Sequence, residues 1–417
     1  MNNDELQVLG TPEKKGKLTL LVIAAIAVVA ITIGAGFYWN YSSKQPEKIK
    51  TGKKMGESTI LPELQHAVDS LLNAELTEID GLQGQAIVME VETGEILAMV
   101  GLERNYEKKY QPCKNFAYQQ ELGALMMPVS LLAMLETGKV KLDDVVDAGN
   151  GLYEVKNDMW IKDHNWRRGG YKKITLDRAI EVSSNIVIGK AVNKVFGNNQ
   201  QQFFNLLEKM SFGQPDNIEG IDGIKPTRNS SPRDREWNNW TLWQSAIGYE
   251  RKITPIQMLT FYNAIANNGK MVKPTLKTGE IEIINPHIAR KENIDSMQVV
   301  LEHVVSQGLG KKAGTAMLRV AGMTATSQVN EYDYYNEVGT PLIEYQLAFC
   351  GYFPAEEPKY SIIVSMNKLG LPASGGGMAG VVFHNIVEWM LYHDMPSILV
   401  YDEETGDTLK LKEADIH

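Results

Sequence analysis

Ser365-Met366-Asn367-Lys368 places a serine three residues before a lysine, a pairing that suits a hydroxyl nucleophile and its amine base when both lie on one helical face. Its setting argues against that use, because the string ends a strand-like run and residues three apart on a strand point to opposite faces. Ser183-Ser184-Asn185 joins two hydroxyls and an amide, a tripeptide that alone more often caps or ends a helix than carries a reaction. Gly375-Gly376-Gly377 could cradle a phosphate, but no Lys-Ser/Thr follows, and a plain flexible turn is the simpler reading. Trp237, Trp240 and Trp243 recur at a spacing of three, as on a buried helix or loop face, with a partner surface as the secondary reading. His164 and the other histidines form no ligand-spaced set, and Cys113 and Cys350 lie far apart, so neither a metal nor a cofactor is implied. The two cysteines could still pair in an oxidising compartment.

The elements that would hold such groups can be read from composition and periodicity. The 417 residues are 43% hydrophobic and 22% charged, as in an ordinary folded protein. A net charge of -9 repels a phosphate backbone and excludes nucleic acid as a partner. Leu18–Trp39 carries no charge and as a helix would span roughly 33 Å, enough for a bilayer core. Phe37, Tyr38, Trp39 and Tyr41 suit its lipid–water boundary. The run is longer than the core of a cleaved signal peptide, so an uncleaved single-pass anchor is expected. Lys14, Lys15 and Lys17 before it are outnumbered by Lys44, Lys48, Lys50, Lys53 and Lys54 after it, which alone would leave the body in the cytoplasm. A polar, lysine-rich linker follows. Leu64, Val68, Leu71 and Leu72 then recur at helical spacing, and Gln85–Val91 and Glu95–Val100 read as a hairpin turning at Thr93-Gly94. Helical patterns dominate from Leu125 to about Ser306. Strands return at Met317–Thr324, Gln346–Tyr352 and Tyr360–Met366, before a helix at Val381–Tyr392. Strands from both chain ends therefore bracket a helical insertion, and the hairpin and the strand bearing Thr324 are expected in one sheet.

This order and several local strings resemble the transpeptidase domain of penicillin-binding proteins, especially the class B enzymes of peptidoglycan synthesis. Ala246–Pro274 (AIGYERKITPIQMLTFYNAIANNGKMVKP) is similar to the family stretch in which a Gly-rich turn precedes Thr-Pro-x-Gln, a helix and Ala-Asn-x-Gly. Ile161–Asn185 resembles the segment leading to its Ser-x-Asn motif, Phe349–Val364 its Gly-Tyr-x-Pro strand pair, and Gly375–Ile386 its closing Gly-Gly turn and helix. The resemblance covers roughly Leu82 to Leu391. It implies an α/β fold of the transpeptidase and serine β-lactamase type, with an antiparallel sheet flanked by helices and a helical lobe. It also implies that the body lies outside the cytoplasmic membrane, against the lysine count.

The chemistry implied by the resemblance needs a Ser-x-x-Lys turn for nucleophile and base, a Ser-x-Asn motif for proton relay, and a Lys-Thr-Gly strand for the substrate carboxylate. Where the family carries Glu-Pro-Gly-Ser-x-x-Lys-Pro, this chain reads Glu121-Leu122-Gly123-Ala124-Leu125-Met126-Met127-Pro128. Ala124 takes the nucleophile position and Met127 the base position. Where the family carries Ala-Gly-Lys-Thr-Gly-Thr-Ala-Gln, this chain reads Ala321-Gly322-Met323-Thr324-Ala325-Thr326-Ser327-Gln328, so Met323 replaces the cation and Ala325 the glycine. Only Ser183 and Asn185 of Ser-x-Asn are kept. Lys277-Thr278-Gly279 matches the third motif literally but lies well before its strand.

The expected organisation is a cytoplasmic tail at 1–17, an anchor at 18–39, a linker at 40–60, a transpeptidase-like domain at 61–400 and a C-terminal tail at 401–417. The linker is short compared with the N-terminal pedestal usual in class B members, and no room remains for a glycosyltransferase domain. The function expected is that of a catalytically inactive scaffold or regulator at the bacterial cytoplasmic membrane, contacting cell-wall synthesis or division proteins. Ser183, Asn185 and Thr324 remain as hydrogen-bonding candidates for weak contact with a stem peptide. The alternative is an active D,D-transpeptidase using an unrecognised nucleophile.

Overall fold

Apolar side chains at Leu64, Val68, Leu72 and Leu76 recur every fourth residue, and in the computed structural model they form the buried stripe of α1 (Pro62–Glu78). The structure describes residues 56–114, 116–156, 159–225, 237–279, 281–329, 342–393, 399–401 and 408–410. The expected anchor at 18–39 lies outside them. Among the described residues no helix is long and apolar enough to cross a membrane.

After α1 come β1 (Gly81–Glu90), β2 (Ile96–Arg104) and the short β3 (Tyr110–Pro112). α2 (Met126–Glu136) opens the helical lobe, and every residue from Met126 to Leu135 is buried, as befits a helix apolar on all sides. β4 (Val145–Asp147), β5 (Leu152–Lys156), β6 (Met159–Lys162) and β7 (Lys173–Thr175) follow, then α3 (Leu176–Glu181), α4 (Asn185–Phe196), α5 (Gln200–Lys209), α6 (Asn239–Ala246) and α7 (Pro255–Ala266). β8 (Met271–Val272), β9 (Ile283–Asn285) and α8 (Lys291–Ser306) lead back to the sheet through β10 (Ala321–Val329), β11 (Glu344–Phe353) and β12 (Tyr360–Leu369), and α9 (Gly380–Tyr392) packs against it. The short strands β13 (Leu399–Tyr401) and β14 (Thr408–Lys410) pair with each other.

The main sheet has the order β10-β11-β12-β1-β2-β3, and its ladders are antiparallel. The hairpin and the strand of Thr324 thus share one sheet, as expected. Both faces are covered. Ala86, Val88, Ile362, Val364 and Phe349 join α1 and α9 in one core, while Ile87, Met89, Ile363, Cys350 and Tyr352 join the helical lobe in the other.

Three expectations shift. The strand expected from Met317 begins at Ala321, where pairing with Tyr352 starts; the alternation before it comes from Leu318 and Val320, which are buried in the α1–α9 core outside any strand. The ribbons β4–β7, β5–β6 and β8–β9 were hidden in the sequence because pairs this short carry too few residues for a period-2 pattern. Residues 56–60, placed in the linker, are fastened to the body: Gly56 N donates to Thr278 O (2.7 Å), Thr278 N to Glu57 O (2.8 Å) and Thr59 N to Leu276 O (3.0 Å). Cys113 and Cys350 are not joined by a disulfide.

On α1, burial pushes the Glu75 carboxyl up to about 7, with Glu78 adding to the rise and Lys312 opposing it. A carboxyl raised on folding favours the folded state fully only below its unfolded value near 4.5, and that contribution is lost as pH rises through about 7. Solvent screening at this half-buried site leaves a loss of about 1 kcal/mol. Glu75→Gln should therefore raise the melting temperature by on the order of 1–2 °C at pH 8 and change little at pH 4. Thermal melts at the two pH values check the difference.

Candidate functional site

Ala124 lies in a single 3-10 turn, Gly123–Leu125, that runs into α2 with no capping side chain. Neighbouring segments hold this turn firmly. Gln120 and Ile253 exchange backbone hydrogen bonds of 3.0 Å, and Tyr262 Oη donates to Leu125 O at 2.9 Å. The Glu121 carboxylate accepts from Glu250 N at 2.8 Å, while its carbonyl accepts from Ser327 Oγ at 3.0 Å. Behind the turn, Gly248 has φ +90, and a Cβ there would fall 1.9 Å from Gly123 O. Met127, in the first turn of α2, is fully buried.

β10 passes beside the turn as the edge strand of the sheet. Alternation turns Met323, Ala325 and Ser327 to one face, and a Cβ on Gly123 would lie 3.0 Å from Ser327 Cβ and 3.9 Å from Ala325 Cβ. Thr324 and Thr326 face the other way, where Thr326 Oγ1 accepts from Gly375 N at 2.8 Å and a Cβ on Gly376 would lie 3.3 Å from Thr324 Oγ1. Thr324 is thus turned from the side that meets Ala124. Gly375-Gly376 is not a loose turn: both residues are buried, and a Cβ on Gly375 would fall 2.0 Å from Ala325 O. Close approach of backbone to β10 is the reason for glycine here.

Ser183 ends the turn before α4 with φ +50, in the left-handed region that costs a non-glycine residue about 1 kcal/mol or more. Ser184 caps α4, accepting from Val187 N at 3.3 Å and donating to Asp163 Oδ2 at 2.8 Å. Asp163 Oδ1 accepts from Ile186 N at 3.1 Å. Burial lifts the Asp163 carboxyl above its usual range, opposed by these hydrogen bonds, another from Asn185 N, and the charge of Lys190. The Asn185 amide donates to Lys162 O at 2.9 Å. The turn reaches the sheet indirectly: Leu309 N donates to Glu181 O at 3.0 Å, and a Cβ on Gly376 would meet Leu309 O at 2.4 Å.

The positions matched to the family's nucleophile, base and cation carry no charge. Ala124, Met127, Met323 and Ala325 belong to one buried hydrophobic cluster, with Ala124 the most exposed at 8%. The decoys have structural roles. Lys277 pairs with Glu219, and Thr278 binds residues 56–57. Ser365 Oγ accepts from Gln120 (2.8 Å) and Gln346 (2.7 Å), while Lys368 Nζ donates to the carbonyls of Leu369, Gly370 and Pro372. Trp243 is buried and stacks on Tyr153, and Trp237 donates to Gln200, so these two pack rather than form a ligand box. Sequence reasoning missed Asp163, Ser327 and Tyr249, whose hydroxyl bonds the backbone of Gln328. Ser327 was within reach of it, lying two residues along the strand from Ala325.

The family model of the penicillin-binding protein transpeptidase domain matches residues 84–388, which span both arms of the sheet and the whole helical lobe. The chain belongs to the penicillin-binding protein transpeptidase family. It is similar to the peptidoglycan D,D-transpeptidase FtsI of Buchnera aphidicola subsp. Schizaphis graminum, at 25% identity over 340 residues, 79% of this chain and 56% of that one. It is similar to stage V sporulation protein D of Bacillus subtilis, at 26% identity over 332 residues, 72% of this chain and 48% of that one. The chain spans about half the length of the curated relatives it matches. The apo TP domain of Burkholderia pseudomallei penicillin-binding protein 3 superposes with a TM-score of 0.67 at 23% identity, covering 84% of this chain and 98% of that one, and shares its fold. Within this transpeptidase fold the Ala124 turn, β10 and the Ser183–Asn185 turn are thus the parts to weigh for function.

Proposed function

We propose that this transpeptidase-family chain works by binding and not by covalent catalysis, as a scaffold or regulator of peptidoglycan synthesis or cell division. It sits at the bacterial cytoplasmic membrane on a single anchor at 18–39, with residues 40–417 outside and residues 61–400 as the transpeptidase-like domain. One observation supports this reading: Ala124, Met127 and Met323, which the local strings match to the family's nucleophile, base and substrate cation, are packed in a single apolar cluster. None can donate, accept or hold a proton. In a serine protease, losing the nucleophile or base alone lowers turnover by on the order of 10⁶-fold.

An active transpeptidase with another nucleophile finds little support nearby. Ser130 donates to Ala246 O, Ser327 to Glu121 O and Ser184 to Asp163, and all three are buried. Ser183 is the partly exposed hydroxyl of the group, and its neighbour Asn185 is engaged with Lys162 O. Weak stem-peptide contact through Asn185 needs its amide to leave Lys162 O, and Thr324 adds little from the far face of β10.

Affinity capture of the full anchored chain from its native membrane tests the role. Peptidoglycan synthases or division proteins should co-purify; a chain recovered alone contradicts it. Protease added to spheroplasts should digest the body, and full protection would place it inside.

A further inference from the structure

At the end of the helical lobe the ribbon β5–β6, the 3-10 turn Trp166–Arg168 and β7 meet. Asp163 N donates to Gly151 O at 3.0 Å, Lys172 N donates to Gly149 O at 3.0 Å, and Gly151 lies so close to Trp166 that a Cβ would fall 2.7 Å from its Cα. Lys156, Lys162, Arg167, Arg168, Lys172 and Lys173 surround this junction, and all are exposed. Among the described residues none of them is ion-paired, whereas Arg104, Arg178, Lys273, Lys277, Arg290 and Arg319 elsewhere each hold a carboxylate. Glu154, opposite Trp160, and Asp147, opposite Lys173, are exposed carboxylates on the same ribbons, and the six cations outnumber them, a local positive excess on a chain of net charge -9.

The same place exposes apolar surface. Met159 is 41% and Trp160 47% exposed on β6. Trp166 is half-buried, with Lys162 Nζ 5.8 Å and Arg167 Cζ 4.9 Å from its ring centroid, which orders both cations. Among the described residues β5 and β6 form a sheet of two strands only, so each strand keeps one edge of backbone N–H and C=O groups outside any described ladder.

We propose that this ribbon is the docking surface for an extended acidic segment of a partner protein. Such a peptide satisfies all three features at once: its backbone pairs with an open strand edge, its carboxylates meet the cations, and its apolar residues cover Met159 and Trp160. A lipid surface would use the charges and the tryptophan but not the strand edges. The surface adjoins the Ser183–Asn185 turn through the Asn185–Lys162 hydrogen bond, so a docked partner lies beside the family's site. This deepens the binding role proposed above and rests on it for the partner's setting; peptide titration tests the surface alone, while partner capture tests the setting.

The probe is a fluorescent peptide of alternating glutamate and valine, titrated by anisotropy into the full chain in detergent micelles. Saturable binding is expected, weakened by salt, by about tenfold or more in K162E/R167E/R168E, and several-fold in Trp160→Ala. Equal binding by the charge-reversed chain, equal binding of a lysine–valine peptide, or no saturable binding overturns the proposal. So does ribbon-dependent binding of phosphatidylglycerol vesicles without binding of the peptide. Should the triple variant unfold, the salt dependence and the lysine–valine control on the native chain still decide.

Discussion

Restoring the family's side chains is expected to damage this protein more than it revives it. Met127 and Met323 are fully buried in the apolar cluster that fills the lobe beside the sheet. Lysine at either place puts an ammonium into a buried hydrophobic cluster, at a cost of about 3 kcal/mol or more each, even if the amine sheds its proton. A domain's whole stability is about 5–15 kcal/mol. Ala124→Ser and Ala325→Gly are small by comparison, the latter costing about 1 kcal/mol in strand entropy. The variant carrying Ala124→Ser, Met127→Lys, Met323→Lys and Ala325→Gly should melt on the order of 10 °C lower than the native chain, whereas Ala124→Ser with Ala325→Gly alone should melt within a few degrees of it. Stem-peptide turnover should stay poor in both. A quadruple variant with native stability and robust turnover would mean that four side chains alone separate this chain from an enzyme.

A second large loss is expected at a glycine packed against the turn that carries Ala124. Gly248 combines φ +90 with backbone on its open side: a Cβ would meet the O, C and Cα of Gly123 at 1.9, 2.5 and 2.7 Å. Those atoms belong to the turn that carries Ala124, which is pinned by Gln120–Ile253, Glu121–Ser327 and Tyr262–Leu125 hydrogen bonds. The turn cannot yield cheaply. Gly248→Ala should cost about 3 kcal/mol or more, from strain plus overpacking. Gly138 has φ +68 and nothing within 4 Å, so Gly138→Ala should cost only about 1 kcal/mol. Denaturant midpoints of the two variants separate steric collision from backbone strain.

The sheet was legible because Gln85–Val91 and Glu95–Val100 are short apolar runs joined by a tight turn at Thr93-Gly94 and because β11 and β12 are long apolar strands. The start of β10 was not, since Leu318 and Val320 alternate while packing into a core outside the strand. The family's motif turns could be located from local strings, but their meaning depends on facing, which spacing alone does not give. Thr324 shows this: its place on β10 was clear, yet alternation sends it toward Gly376 and leaves Met323, Ala325 and Ser327 to meet the turn. Asp163 was missed because a single buried carboxylate has no sequence signature; its role appears only where Ser184 and Ile186 converge on it. The glycines at 375–376 were legible as a turn, while the closeness of Ala325 O, which requires them, was not.

Intact-mass measurement of the full chain after incubation with a labelled penicillin tests the loss of chemistry most directly. An active penicillin-binding protein treated in parallel gains the mass of the opened β-lactam. This chain is predicted to gain none, because Ala124 has no oxygen to acylate and Met127 no amine to activate one. A stable adduct mapped by peptide sequencing to any residue, above all to Ser183, would contradict it and return the chain to the enzymes of its family.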